Sequence, residues 1–243
     1  MTNPTAAMLV IGDEILSGRT RDANMHYLAG EAIKHGIRMA EVRIVPDRQD
    51  RIVAALNALR TDYDIVFTSG GIGPTHDDIT ADAVAAAFGV GIGVREDARA
   101  LLAEYCARMG RDLNEARLRM ARIPDGATLI ANPISAAPGF VIGNVHVMAG
   151  VPSVFQAMVA SVLPTLAGGD PLMSQTLCVE RPEGDIAGEL RGLAARFDDL
   201  SIGSYPFSRD GVYGTNIVIR GSDGARIDAA MAELCALFPE AMA

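Results

Sequence analysis

The stretch Thr68-Ser-Gly-Gly-Ile-Gly-Pro-Thr-His-Asp-Asp-Ile-Thr80 decides how the rest of the chain is read. Before it, Asp64 to Ser69 (DIVFTS) is a short apolar run of the kind that makes a buried strand; after it, Ile79 to Phe88 carries small helix-forming residues. Between them Gly70, Gly71 and Gly73 tolerate positive φ and admit a ligand close to the backbone, while the following helix offers unpaired N–H groups at the positive end of its dipole. A strand feeding a helix through such a loop is the unit of an open α/β sheet, whose ligands lie beyond the carboxyl ends of the strands. Phosphate is the chemistry such a loop suits. The plainer reading is a tight turn in which Asp77 or Asp78 caps the helix.

Outward from this stretch the alternation continues in both directions. Ala7 to Ile11 reads as a strand, Ala23 to His35 as a helix closed by Gly36, Ile37 to Val45 as a strand, and Arg48 to Leu59 as a helix with Ile52, Leu56 and Leu59 on one face. Downstream, helices are expected from Arg95 to Met109 and from Asn114 to Arg122. GFVI and VHVM around Gly143-Asn144 then predict a hairpin, and Pro152 opens a helix to about Leu166. Such an order implies an α/β protein with a mostly parallel sheet, helices on both faces and an antiparallel hairpin. Ala167 to Pro171 (AGGDP) reads as a linker, which divides the chain into residues 1–169 and 170–243. The second part reads as a small α+β module of βαββα order: a strand at Gln175 to Glu180, a helix at Asp185 to Phe197, strands at Leu200 to Tyr205 and Val212 to Arg220, and a helix at Ala225 to Phe238. Its expected roles are to support a dimer or to close over the pocket; Arg209 and Asp210 are read as solvated loop residues.

Other loops should reach the same rim as the glycine-rich one. Gly12 to Gly18 (GDEILSG) places Asp13 and Glu14 after the first strand, where they can orient a sugar, accept hydroxyl hydrogen bonds or hold a metal. Asn24, at the start of the next helix, can cap it or bond a ligand. Asn132 to Gly139 (NPISAAPG) reads as a pocket wall, and Ala149 to Ser153 (AGVPS) offers Gly150, Pro152 and Ser153 at a second helix N-terminus. Asp77 and Asp78 beside a phosphate cradle would repel an anion unless a divalent cation, Mg²⁺, Mn²⁺ or Co²⁺, lies between; Asp13 is a further candidate ligand for it. Gly70, Gly71, Gly73, Pro74 and Thr75 complete the expected contacts. His76 is a ligand or base only in combination with others.

Composition narrows the partners. A formal charge of −9 over 243 residues argues against nucleic acid, which is bound by clustered Lys and Arg. Three cysteines, Cys106, Cys178 and Cys235, show no CxxC spacing, so neither a disulfide framework nor a zinc site is expected. The start lacks the pattern of an export signal and no apolar run approaches the roughly 18 residues of a membrane span, which leads one to expect a cytoplasmic protein with small-molecule ligands.

The segments GDEILSG, GGIGPTHDDIT, NPISAAPGF and AGVPS, in this order, resemble the molybdopterin-binding (MoaB/Mog-like) domain superfamily. Within it, VIGDEILSGRTRDAN, TSGGIGPTHDDIT and LSIGSYP look like the N-terminal part of the competence/damage-inducible CinA proteins and the related N-terminal domain of eukaryotic FAD synthases. The resemblance implies a three-layer α/β/α domain, a homo-oligomer, and a pocket at the loops just described. Asp78 stands where Mog-type enzymes, which adenylylate molybdopterin, have a functionally important acidic residue. Asp77 and Ile72 depart from the basic residue and the Thr usual there, whereas CinA-like proteins carry the Asp-Asp pair and are associated with metal-dependent hydrolysis of ADP-ribose. The related FAD synthase domain is linked to FAD hydrolysis. The expectation is therefore a metal-dependent nucleotide-sugar pyrophosphatase, with Asp77 and Asp78 as catalytic candidates. The alternatives are molybdenum cofactor biosynthesis, with molybdopterin as ligand, and a non-catalytic pterin- or nucleotide-binding protein. The sequence ends at Ala243 without the C-terminal domain by which CinA proteins deamidate nicotinamide mononucleotide, and nothing in it resembles a nucleotidyltransferase; neither activity is expected.

Overall fold

The structure is a computed structural model that describes residues 3–209 and 211–242. Two compact units divide at Gly169/Asp170. In the first, the order is β1 (Thr5–Ile11), α1 (Asp13–Leu16), α2 (Asn24–Lys34), β2 (Arg38–Val45), α3 (Gln49–Asp62), β3 (Ile65–Ser69), α4 (Thr80–Phe88), β4 (Ile92–Val94), α5 (Glu96–Arg108), α6 (Glu115–Leu118), β5 (Arg122–Pro124), β6 (Thr128–Ile130), β7 (Gly139–Ile142), β8 (Val145–Met148) and α7 (Pro152–Val162). Its main sheet has the strand order β2-β1-β3-β8-β7-β6. β2, β1, β3 and β8 run parallel, and β7 and β6 add the antiparallel part.

The sequence pattern of β1 explains the three layers. It is apolar at every position from Ala6 to Ile11, so alternate residues enter opposite cores. Ala7, Leu9 and Ile11 pack with Ile52, Leu56 and Leu59 of α3 and with α4 and α5. Ala6, Met8 and Val10 pack with Leu28 of α2 and with Phe155, Met158 and Val159 of α7. Burying a side chain of this size stabilises the fold by about 1.5–3 kcal/mol each, and both faces of the sheet collect it.

Several expectations need correction. The helix expected over Asn114 to Arg122 is only α6 followed by a 3-10 turn at Arg119–Ala121, because Arg122–Pro124 is a strand that pairs antiparallel with β4. A proline disfavours helical geometry in the residue before it, which places Ile123 in extended backbone. The helix from Pro152 ends at Val162, and Leu163–Thr165 forms a 3-10 turn.

The second unit has β9 (Met173–Val179), α8 (Glu183–Arg196), β10 (Ser201–Arg209), β11 (Val212–Gly221) and α9 (Gly224–Leu237). Its antiparallel sheet, order β10-β11-β9, buries Leu177, Val179, Ile217 and Ile219 against Ile186 and Leu193 of α8 and Ile227 and Leu234 of α9. Arg209, expected in a loop, ends β10 with its guanidinium 5.4 Å above the Phe207 ring. Asp210 lies outside the described residues. Cys106, Cys178 and Cys235 are free, and among the described residues no helix is long and apolar enough to cross a membrane.

Candidate functional site

At the carboxyl end of β3 the chain turns through Gly70 (φ 107) and Gly71 (φ 68). A Cβ on Gly70 would stand 2.2 Å from the Ile11 carbonyl oxygen, and one on Gly71 would stand 2.1 Å from Thr80 Oγ1. Only glycine fits both the torsion and the space. Thr80, fully buried at the head of α4, donates its hydroxyl to the Gly70 carbonyl at 3.0 Å and its N–H to that of Gly71 at 2.9 Å. The ends of β1, β3 and β8 thus converge main chain to main chain: Gly70 donates its N–H to Met148, and a Cβ on Gly150 would come within 3.1 Å of the Gly70 Cα.

Above this floor opens a cavity of about 530 Å³. Gly70, Gly71, Gly73, Pro74, Asp77 and Asp78 of the glycine-rich loop line it, with Glu14, Gly150 and Pro152 from the neighbouring loops. The N–H groups of Gly71, Ile72, Gly73, Gly150 and Val151 have no partner among the described residues, whereas that of Gly70 is spent on Met148, so Gly70 serves as wall. Asp78 Oδ2 accepts from the Thr75 N–H at 2.7 Å and from its hydroxyl at 2.5 Å, which fixes the turn and leaves Oδ1 without a partner among the described residues.

Other expected contacts stand elsewhere. Thr75 does not line the cavity and is committed to Asp78. Asp13 does not line it either; its side chain is exposed and its N–H donates to Asp47 Oδ2 at 2.9 Å. Gly139 opens β7 and lets it lie against β8, and Ser153 is exposed on α7 outside the lining. Asn24 is buried: its amide donates to Ser69 Oγ and to the Gly150 carbonyl, both at 2.7 Å, which ties α2 to the ends of β3 and β8. The Asn132 loop forms one wall, with all four bonding positions of the Asn132 amide satisfied by Ile134, Ser135 and Ala137. That network holds Ala136 at φ 57.

Sequence reading missed Asp47, Thr20 and Met120, which also line the cavity. Asp47 follows the carboxyl end of β2, and the rule that placed the other loops on this rim would have found it. Burial pushes its carboxyl up from the usual carboxylate range, helped by the charges of Asp13, Glu14 and Asp77 and opposed by the Asp13 N–H. Among the described residues four carboxylates (Glu14, Asp47, Asp77 and Asp78) line the cavity and no Lys or Arg does. Behind the loop Arg122 is paired with Asp82 at 2.6 Å, and Arg119 reaches the Asp78 carbonyl at 3.5 Å. Among the described residues no three His, Cys, Asp or Glu side chains gather into a ready-made metal cage. One or two carboxylates with ligand phosphates suffice for Mg²⁺, and that arrangement these residues do fit.

The family model described as a probable molybdopterin binding domain matches residues 7–168, and that of the FAD synthase middle domain matches residues 171–243. A probable FAD synthase of Caenorhabditis elegans is 32% identical over 95% of this chain and 49% of its own length. A CinA-like protein of Citrifermentans bemidjiense is 38% identical over 67% of this chain and 40% of its own. The chain therefore spans half or less of these two relatives. The crystal structure of CinA from Thermoplasma acidophilum is 32% identical, with a TM-score of 0.62 over 68% of this chain and 99% of that one. The chain belongs to the molybdopterin-binding domain family, in the CinA-like branch that it shares with FAD synthases.

Proposed function

We propose that the cavity binds a nucleoside diphosphate linked to a sugar, ADP-ribose being the leading candidate, and that the protein hydrolyses its diphosphate with a divalent cation. The observation that carries this reading is the mismatch within the lining: residues whose backbone N–H groups have no partner among the described residues, a donor type suited to phosphate oxygens, share the cavity with four carboxylates and with no basic side chain among the described residues. A diphosphate enters such a cavity only with a counter-cation. Asp77 and Asp78 are the residues that would hold it, through Asp77 and Oδ1 of Asp78. When bound, the cation would neutralise the diphosphate and activate water. Gly71, Ile72 and Gly73 would stabilise charge developing on the phosphate oxygens. Water attacks one phosphorus, the bridging P–O bond breaks, and AMP and ribose 5-phosphate leave. By analogy with the family the protein would work as a homo-oligomer in the cytoplasm.

The test is release of AMP from ADP-ribose, with FAD as second substrate, under Mg²⁺, Mn²⁺ or Co²⁺. Wild type should turn over and Asp78→Ala should lose at least about a hundredfold in rate. Absence of release with every cation sinks the reading for these substrates. The second reading, molybdopterin binding, draws on the family and on the same carboxylates, which can accept from the N–H groups of a pterin without a cation. Tight pterin binding in chelator, without turnover, would favour it.

A further inference from the structure

A side pocket of about 60 Å³ adjoins the main cavity and shares Glu14, Thr20 and Gly150 with it. It has room for about four waters. Two of its polar lining residues are buried, Ser69 at 2% and Asn24 at 4% exposure. Both amide hydrogens of Asn24 are spent, on Ser69 and Gly150, while its Oδ1 is buried with no donor among the described residues. A buried carbonyl oxygen left in this state calls for a donor from outside the chain.

The other groups around it narrow what that donor belongs to. Among the described residues the Glu14 carboxylate and the Thr20 hydroxyl have no hydrogen-bond partner, and Ser69 receives the Asn24 amide while its own proton has no acceptor. Asp22 and Glu14 disfavour a phosphate, and Arg21 disfavours an ammonium group. A small neutral group with several hydroxyls satisfies every position: hydroxyl hydrogens to Glu14 and Asn24, hydroxyl oxygens from Thr20 and Ser69. We infer that this pocket takes the vicinal diol of a ribose, the carboxylate and the Asn24 carbonyl accepting from its two hydroxyls. The inference rests on the nucleotide reading above and names the part of the ligand that the side pocket selects.

The experiment is calorimetric binding, in Mg²⁺, of the uncleavable α,β-methylene analogue of ADP-ribose and of two versions of it, each lacking the diol on one of the two riboses. One version should bind at least about tenfold more weakly than the parent, as loss of a bond to a charged acceptor requires. In Glu14→Gln, whose melting temperature checks that it folds, that gap should shrink to about threefold or less. If both versions bind like the parent, the diol pocket is wrong while the nucleotide reading stands. A gap that persists unchanged in Glu14→Gln places the diol elsewhere and overturns the assignment. If the parent itself does not bind, the nucleotide reading falls and takes this inference with it.

Discussion

Replacing Gly70 by alanine separates two costs that the fold avoids at that position. The first is torsional: φ 107 lies beyond the small left-handed region open to L-residues, and holding one there costs about 1–3 kcal/mol. The second is steric. The new Cβ would lie 2.2 Å from the Ile11 carbonyl oxygen, so the loop would have to retreat by roughly 0.8 Å to reach the 3.0 Å that such contacts tolerate. It cannot do so freely, because Ser69 and Val10, the residues immediately before Gly70 and Ile11, are paired in the sheet. Giving up one or two ladder bonds costs about 0.5–1.5 kcal/mol each. Gly70→Ala should therefore lose about 3 kcal/mol. Gly18 supplies the control: its φ is +73, but nothing lies within 4 Å of a Cβ there, so Gly18→Ala should lose only about 1 kcal/mol. Urea unfolding followed by far-ultraviolet circular dichroism measures both. Equal losses in the two variants would refute the claim that the loop is held against β1.

Thr80→Val keeps the shape of a buried side chain but orphans the Gly70 carbonyl; it should cost about 1–3 kcal/mol and weaken ligand binding, and a variant of wild-type stability would show that the hydroxyl bond is dispensable. His146 is buried beside Phe67, and desolvation holds its pKa below the ordinary value. The unfolded chain thus takes up the proton first, so stability is full above about pH 6.5 and declines as pH falls through the lower folded value. In His146→Leu the urea midpoint should be flat across that interval, and an unchanged slope would exclude His146 as its source. For Asp47 the sign is reversed. A raised carboxyl pKa means that ionisation costs the folded state stability above the usual carboxylate range, and none below about pH 3.8. Asp47→Asn keeps an acceptor for the Asp13 N–H and should raise the unfolding free energy at pH 7 by of order 0.5 kcal/mol, read as a higher urea midpoint, with no gain in strong acid. Equal midpoints at pH 7 would show that the surrounding charges are already screened.

Much of the fold is written in periods long enough to read. β1 is apolar throughout from Ala6, β3 opens on Ile65-Val66-Phe67, α3 repeats Ile52, Leu56 and Leu59 at helical spacing, and the Gly143-Asn144 turn announces β7 and β8. β4, β5 and β6 hold three residues each, too few for alternation to register, and exist because neighbours supply their hydrogen bonds. In the site, the glycine-rich loop carries its own signal because its torsions demand particular residues. Asp47 and Thr20 carry no such signal in their own residue type: each is a single polar residue, Asp47 legible only by the rule that brings loops after parallel strands to one rim and Thr20 not even by that. Asn24 illustrates a limit of another kind. Its type permits a cap or a ligand contact, and only the partners of its amide show that it first fastens three segments together.

The meeting of Ile11, Gly70 and Gly150 has a consequence for how such a site can diverge. The floor is assembled from peptide groups, which no substitution can exchange for another chemistry, while the four carboxylates belong to side chains that can be replaced one at a time. Grip and choice are therefore encoded separately. A descendant can change the chemistry of the lining by editing Glu14, Asp47 or Asp77 and inherit the same floor beneath it, whereas a change at Gly70 would disturb the floor itself.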